Sequence, residues 1–235
     1  MAALILETRG LTKTYAGVTA NQDVDFALPQ GQIRALIGPN GAGKSTFVGM
    51  LCGRIPATRG TVLFDGKDIS HLPAHKRIAL GIAYTFQITS VFAGLSVREN
   101  IALAARRAGG DDARVDEVLA RVALSDRAEQ TAGDLSYGHQ RILEIGMGLA
   151  QTPRLFILDE PTQGLAESEV AEFKALITGL RDTTILLIEH NMSVVMETAQ
   201  FITVLNHGEI LAEGTPDDIR ANSHVQAAYL GTEDA

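Results

Sequence analysis

Four short apolar runs mark the chain, at 33–37, 155–158, 185–188 and 201–205. None of them alternates apolar with polar positions, which is the pattern of strands covered on both faces, and helical stretches lie between them. Together they predict an α/β fold with a mainly parallel sheet. Earlier segments, 4–13, 24–28 and 61–64, are short and punctuated by Gly17, Gly31, Gly60 and the pair Asp65 and Gly66. That punctuation predicts antiparallel strands and hairpins, a small β-layer beside the main sheet.

From about Leu95 to Gln151 the pattern changes to helix. Ser96 followed three residues later by Glu99 forms a capping box leading into residues 100–107, and Val115, Val118, Leu119 and Val122 continue the apolar period. Gly109 and Gly110, followed by Asp111 and Asp112, read as a solvated turn between two helices, because two carboxylates alone under-coordinate a cation. The segment is a helical insertion, so the expected division is an α/β core from 1–87 and 152–235 with a helical subdomain at 88–151. Near the end, Thr215, Pro216, Asp217 and Asp218 supply an N-cap, a first-turn proline and acid in the first turn.

Composition narrows the partners. A chain of 235 residues with 46% hydrophobic and 20% charged residues buries a full core, and a net charge of −8 argues against nucleic acid, which calls for a basic face. The single cysteine, Cys52, forms no intrachain disulfide and is expected to be a small core residue in a reducing compartment. Residues 1–7 carry no basic leader and read as a first strand. No run approaches the roughly 18 to 20 apolar residues of a spanning helix, so any membrane role is expected to work through a partner.

The chemistry starts after the first apolar run. Gly38, Pro39, Asn40, Gly41, Ala42, Gly43, Lys44 and Ser45 match the phosphate-loop pattern between a strand and the helix expected at 47–51. Glycines let backbone N–H groups wrap a β-phosphate, and the helix N-terminus adds positive potential there. Lys44 then reaches the β- and γ-phosphates, Ser45 ligates Mg²⁺, and Thr46 donates to the α-phosphate. The metal needs an acid from a second strand, which Asp159 supplies at the end of residues 155–158. Glu160 beside it is placed to polarise a water for in-line attack on the γ-phosphate. These elements define a nucleotide site, but kinases, GTPases and many ATPases share them, so they do not tell which kind of protein carries it.

Leu135, Ser136, Tyr137, Gly138, His139 and Gln140, just before a helix and ahead of Asp159, resemble the signature of ABC ATPases, usually written LSGGQ. Ser136 is a good N-cap and Gly138 permits close backbone approach. The resemblance covers nearly the whole chain. It implies a P-loop NTPase core with an antiparallel β subdomain and a helical subdomain, and a head-to-tail dimer in which Ser136 and Gly138 meet the γ-phosphate held by the other chain. It further implies that Tyr15 stacks on adenine, that Gln87 touches Mg²⁺ and the attacking water, and that His190 contacts the γ-phosphate. Tyr137 and His139 depart from the usual signature, and Ala166 stands where many members carry aspartate.

A single cassette without a long coiled coil looks like a transporter subunit. The strings 136–145, 187–192 and 227–231 look like the ATPases of branched-chain amino acid importers and their urea- and amide-importing relatives. That resemblance implies integral membrane permeases as partners, a second ATPase chain, an indirect link to a solute-binding protein, and a place on the cytoplasmic face of the inner membrane. Apolar Ile88, Val91, Phe92 and Leu95 suggest a surface that receives a permease loop. A lipopolysaccharide-type export ATPase and a soluble ABC assembly ATPase remain alternatives on these residues.

Overall fold

The structure is a computed structural model that describes residues 3–85, 90–180 and 182–230. The chain runs β1 (Leu4–Tyr15), β2 (Val18–Pro29), β3 (Ile33–Ile37), α1 (Lys44–Leu51), β4 (Arg59–Phe64), β5 (Lys67–Asp68), α2 (Ala74–Ala79) and β6 (Ile82–Tyr84). There follow α3 (Val97–Arg107), α4 (Asp112–Arg121), α5 (Tyr137–Ala150), β7 (Leu155–Asp159), α6 (Glu167–Gly179), β8 (Thr184–Ile188) and α7 (Met192–Thr198). The last elements are β9 (Phe201–Asn206), β10 (Glu209–Gly214), α8 (Pro216–Ala221) and α9 (Ser223–Leu230).

Two sheets result. The antiparallel one has the order β2-β1-β4-β5, and the larger one the order β10-β9-β3-β8-β7-β6, parallel except where β10 pairs with β9. The β1–β2 hairpin closes at Ala16 and Gly17, both at positive φ, the turn geometry that follows the twist of its strands.

The unbroken apolar runs are explained by what covers each face. Leu155 and Ile157 of β7, with Leu186 and Ile188 of β8, share a core with the antiparallel sheet and α1. Phe156 and Leu158, with Ile185 and Leu187, share another with α3, α4, α5 and α6. Every position of β7 and β8 is buried, so neither face tolerates a polar residue without a partner. Helix α5 lies so close to β7 that a Cβ on Gly148 would come within 2.3 Å of the Phe156 ring.

The expected caps are present. Ser96 Oγ accepts from the Glu99 amide and the Glu99 carboxylate accepts from the Ser96 amide, while Thr215 and Asp218 do the same for α8. Asp111, read as part of a solvated turn, caps α4 by accepting from the Arg114 amide at 3.1 Å. Helix α1 begins at Lys44 rather than at Phe47, because Gly43 adopts a left-handed conformation (φ 99°) that turns the loop directly into the helix. Cys52 is buried as expected, and burial pushes its thiol up to about 12. Among the described residues no helix is long and apolar enough to cross a membrane.

Candidate active site

Parallel pairing sets the carboxyl ends of β3, β8 and β7 side by side. Leu36 pairs with Ile188, which pairs with Asp159, so the phosphate-loop residues, His190 and the Asp159–Glu160 pair leave the sheet at one edge. There they border a cavity of about 380 Å³, formed by residues 40–46 on one side and Glu160 and His190 on the other, with Ala20 at its rim. The loop has a firm back wall. A Cβ on Gly43 would lie 2.4 Å from the Ala20 carbonyl, and one on Gly38 would lie 2.2 Å from the Leu205 carbonyl.

Lys44 is almost fully buried, and its Nζ donates to the carbonyls of Gly38 at 2.6 Å and Pro39 at 3.0 Å. Burial lowers its pKa, and the carboxylates of Glu160 and Asp159 oppose that shift. Ser45 is exposed at the start of α1 and Thr46 half-buried. A cationic lysine, a helix N-terminus and a hydroxyl around one cavity fit a polyphosphate.

Asp159 is buried, and burial raises its pKa while a hydrogen bond from the Tyr84 hydroxyl at 2.5 Å pulls it down. Arg54 donates to that hydroxyl at 2.9 Å and stacks 4.2 Å from the centre of the ring. Glu160 has a left-handed backbone (φ 48°), uncommon for a side chain other than glycine, and its carboxylate lies 3.0 Å from His190 Nε2. Behind them the buried Glu189 carboxylate fastens the two loops together. One oxygen accepts from the amide and hydroxyl of Thr162 (2.9 and 2.6 Å), the other from the amides of His190 and Asn191 (3.0 and 3.2 Å).

Ser136, Gly138 and Tyr15 do not line this cavity. Ser136 caps α5, and its hydroxyl meets the Glu169 carboxylate at 3.1 Å, the same carboxylate that accepts from the Ala166 amide at 3.0 Å. A Cβ on Gly138 would collide with Glu169, and Tyr137 lies against Gly164 of the loop before α6. Tyr15 is exposed at the end of β1 with Lys13 Nζ over its ring. Gln87 and Ile88 lie outside the described residues, as does Gly231.

Sequence reasoning gave no role to Tyr84, Arg141, Glu169 or Glu189. For two of them a signal was present. Arg141 and Glu144 interrupt an otherwise apolar stretch of α5 one turn apart, and Glu189 follows directly on a fully buried strand. Charge in such settings requires a partner.

A parallel sheet that presents a glycine loop, a lysine at a helix start and a neighbouring Asp-Glu pair at one edge defines a phosphate-loop nucleotide triphosphatase. Within that class the chain belongs to the ABC transporter family: the family profile described as "ABC transporter" matches residues 21–163, and one described as "Branched-chain amino acid ATP-binding cassette transporter" matches 209–235. It is an ATPase of the ABC type and binds ATP. It is 39% identical to the high-affinity branched-chain amino acid transport ATP-binding protein BraF of Pseudomonas aeruginosa, covering 98% of this chain and 99% of that one. It is 33% identical to the lipopolysaccharide export system ATP-binding protein LptB of Escherichia coli, over 97% and 98%. The crystal structure of the ADP conformation of MJ1267, an ATP-binding cassette of an ABC transporter, superimposes with a TM-score of 0.88 at 27% identity, covering 97% and 99%.

Proposed function

We propose that this chain hydrolyses MgATP to drive import of branched-chain amino acids, as a peripheral subunit on the cytoplasmic face of the inner membrane. The observation that carries the substrate class is the match of residues 209–235 to the branched-chain amino acid cassette profile, beyond the part shared with ABC cassettes in general. Its partners are two integral membrane permeases, a second ATPase chain that is either a copy or a relative, and a solute-binding protein reached through the permeases. Phe92, 54% exposed, offers an apolar contact to a permease loop, while Val91 and Leu95 are half-buried.

In this reading Lys44 and the α1 N-terminus hold the phosphates, Thr46 adds a donor, and Tyr15 stacks on adenine. Glu160 takes a hydrogen bond from a water aligned on the γ-phosphorus. As that water's oxygen bonds to phosphorus, its proton passes to the Glu160 carboxylate, the bond to the β-phosphate oxygen breaks, and ADP and phosphate leave. His190, held against Glu160, meets the γ-phosphate oxygens. Ser136 and Gly138 of a second chain complete the site, so ATP joins two subunits and hydrolysis releases them.

Ser45 and Asp159, with Gln87, would hold Mg²⁺, which would supply neutralisation of the phosphate charge. The donor set fits: the Ser45 hydroxyl lines the cavity and the Asp159 carboxylate ends β7 directly before Glu160, and Mg²⁺ takes few protein oxygens besides phosphate and water.

The test is purification of the chain with its permeases, reconstitution in liposomes, and measurement of ATP-driven uptake with a branched-chain-specific binding protein. Uptake of leucine, isoleucine or valine that is lost in K44A supports the assignment. Transport of urea or amides alone, or copurification with lipopolysaccharide-extracting membrane subunits, overturns the substrate class. Absence of MgATP turnover in the assembled complex overturns the enzymatic one.

A further inference from the structure

Arg141 is the bulkiest of the side chains that are almost completely buried, 1% exposed in the interior between α5 and β7. One guanidinium nitrogen pairs with Glu144 at 2.7 Å. Its Nη2 donates to the backbone carbonyl of Glu160 at 3.1 Å and approaches that of Asp159 at 3.5 Å. Stability is a poor reason for such a group, since a buried ion pair is often replaced by apolar side chains of similar volume at no loss. What distinguishes Arg141 is the atom it holds. The Glu160 carbonyl belongs to a residue in a left-handed conformation, and that conformation directs the carboxylate toward His190 and the cavity. A charged donor on the carbonyl opposes relaxation of the peptide to an ordinary strand geometry.

Arg141 also lies on the helix that carries the signature. Five residues, about 7.5 Å along a helix axis, separate it from Ser136. At its far end the same helix is seated on β7 through the close contact of Gly148 with Phe156. Helix α5 is therefore fixed at two points, to β7 and to Glu160 directly after it.

We propose that Arg141 is a positioning residue for hydrolysis. It aims the Glu160 carboxylate and ties that aim to the seating of the signature helix, so that docking of Ser136 and Gly138 on one nucleotide sets the catalytic glutamate at the other. The inference rests on the reading of Glu160 as the residue that orients water. It deepens that reading by giving the chain a route between the two ATP sites that runs through α5 and not through a side chain at Ala166.

The experiment uses the full chain with R141M and R141K, each alone and combined with E160Q. Steady-state and single-turnover MgATP hydrolysis, binding of a fluorescent ATP analogue and thermal unfolding are measured. R141M is expected to lower kcat about tenfold or more, with KM and analogue binding within about twofold, because the phosphate loop is untouched. R141K keeps the charge but not the fork and falls between R141M and the parent chain. In the E160Q background neither substitution lowers the residual rate further, since Arg141 acts through the carboxylate already removed. If R141M does not fold, R141K carries the same comparison. A wild-type kcat in either folded variant, a KM that rises as kcat falls, or an equal fractional loss with and without E160Q overturns the proposal. E160Q at wild-type turnover overturns the reading of Glu160 and this inference with it, whereas a silent R141M beside an inactive E160Q overturns this inference alone.

Discussion

Replacing Gly148 with alanine measures how closely α5 must lie on β7. The added methyl group would stand 2.3 Å from Phe156 Cζ and 2.7 Å from Cε2, well inside contact distance. Phe156 is wholly buried in the core it shares with α3, α4, α5 and α6, so its ring has no free space to enter. Overfilling an interior in this way costs about 1–3 kcal/mol. Alanine returns roughly 1 kcal/mol through its helix propensity, the amount by which the same change stabilises an exposed helix. With an overlap this deep the cost lies in the upper half of its range, and the net loss comes to about 1–2 kcal/mol. For a chain of 235 residues that lowers Tm by roughly 2–8 °C. Urea unfolding followed by far-ultraviolet circular dichroism reads the change as a lower midpoint with an unaltered slope. Phe156→Leu in the same chain makes room for the methyl, and the double variant is expected to be about 1 kcal/mol more stable than the sum of the single effects. An unchanged or raised midpoint in Gly148→Ala, or strict additivity with Phe156→Leu, would refute the close contact.

Three further outcomes follow from the geometry. His190→Ala, which removes the ring 3.0 Å from Glu160, is expected to lower kcat by about 100-fold with ATP affinity near that of the parent; a loss of less than threefold would remove His190 from the mechanism. With its thiol pushed up to about 12, Cys52 is about one part in ten thousand thiolate at pH 8, so iodoacetamide should label it only after unfolding, and rapid labelling of the native protein would contradict its burial. Ser96→Ala removes the α3 cap and should cost about 1 kcal/mol in urea unfolding, with Ser96→Thr restoring most of it; equal loss in both variants would point away from capping.

The legible parts of this protein are those whose signal is local. β3, β7 and β8 announce themselves because both faces are covered and each position must be apolar, and the caps at Ser96 and Thr215 because their donors lie three residues away. β10 is not legible in the sequence: it is an edge strand, Glu209–Gly214, buried only at Gly214 and carrying two glutamates. β6 is three residues long, too short for any period to show. The start of α1 was misplaced because Lys44, Ser45 and Thr46 have the polarity of a loop, and only the conformation at Gly43 makes them the first helical turn. Motifs single out the phosphate loop, Glu160 and His190, and the fold gathers residues 40–46, Glu160 and His190 around one cavity. Glu189 and Arg141 have no such local signature. A charge buried behind a site is understood only once its distant partners are known, as Thr162 is for Glu189 and the Glu160 carbonyl is for Arg141.

The row of paired residues Leu36, Ile188 and Asp159 has a consequence for how this chain can vary. Residue count within these strands fixes two things at once: which core each side chain enters, and how far along the edge the next chemical group emerges. Dropping one residue from β8 would exchange the partners of Ile185, Leu186, Leu187 and Ile188 between the two cores and draw His190 back by about 3.3 Å. Interior and reaction centre are thus written in the same counting frame. Length changes are tolerable only in the connections beyond the strand ends, and the spacing of the reacting groups is inherited from the sheet.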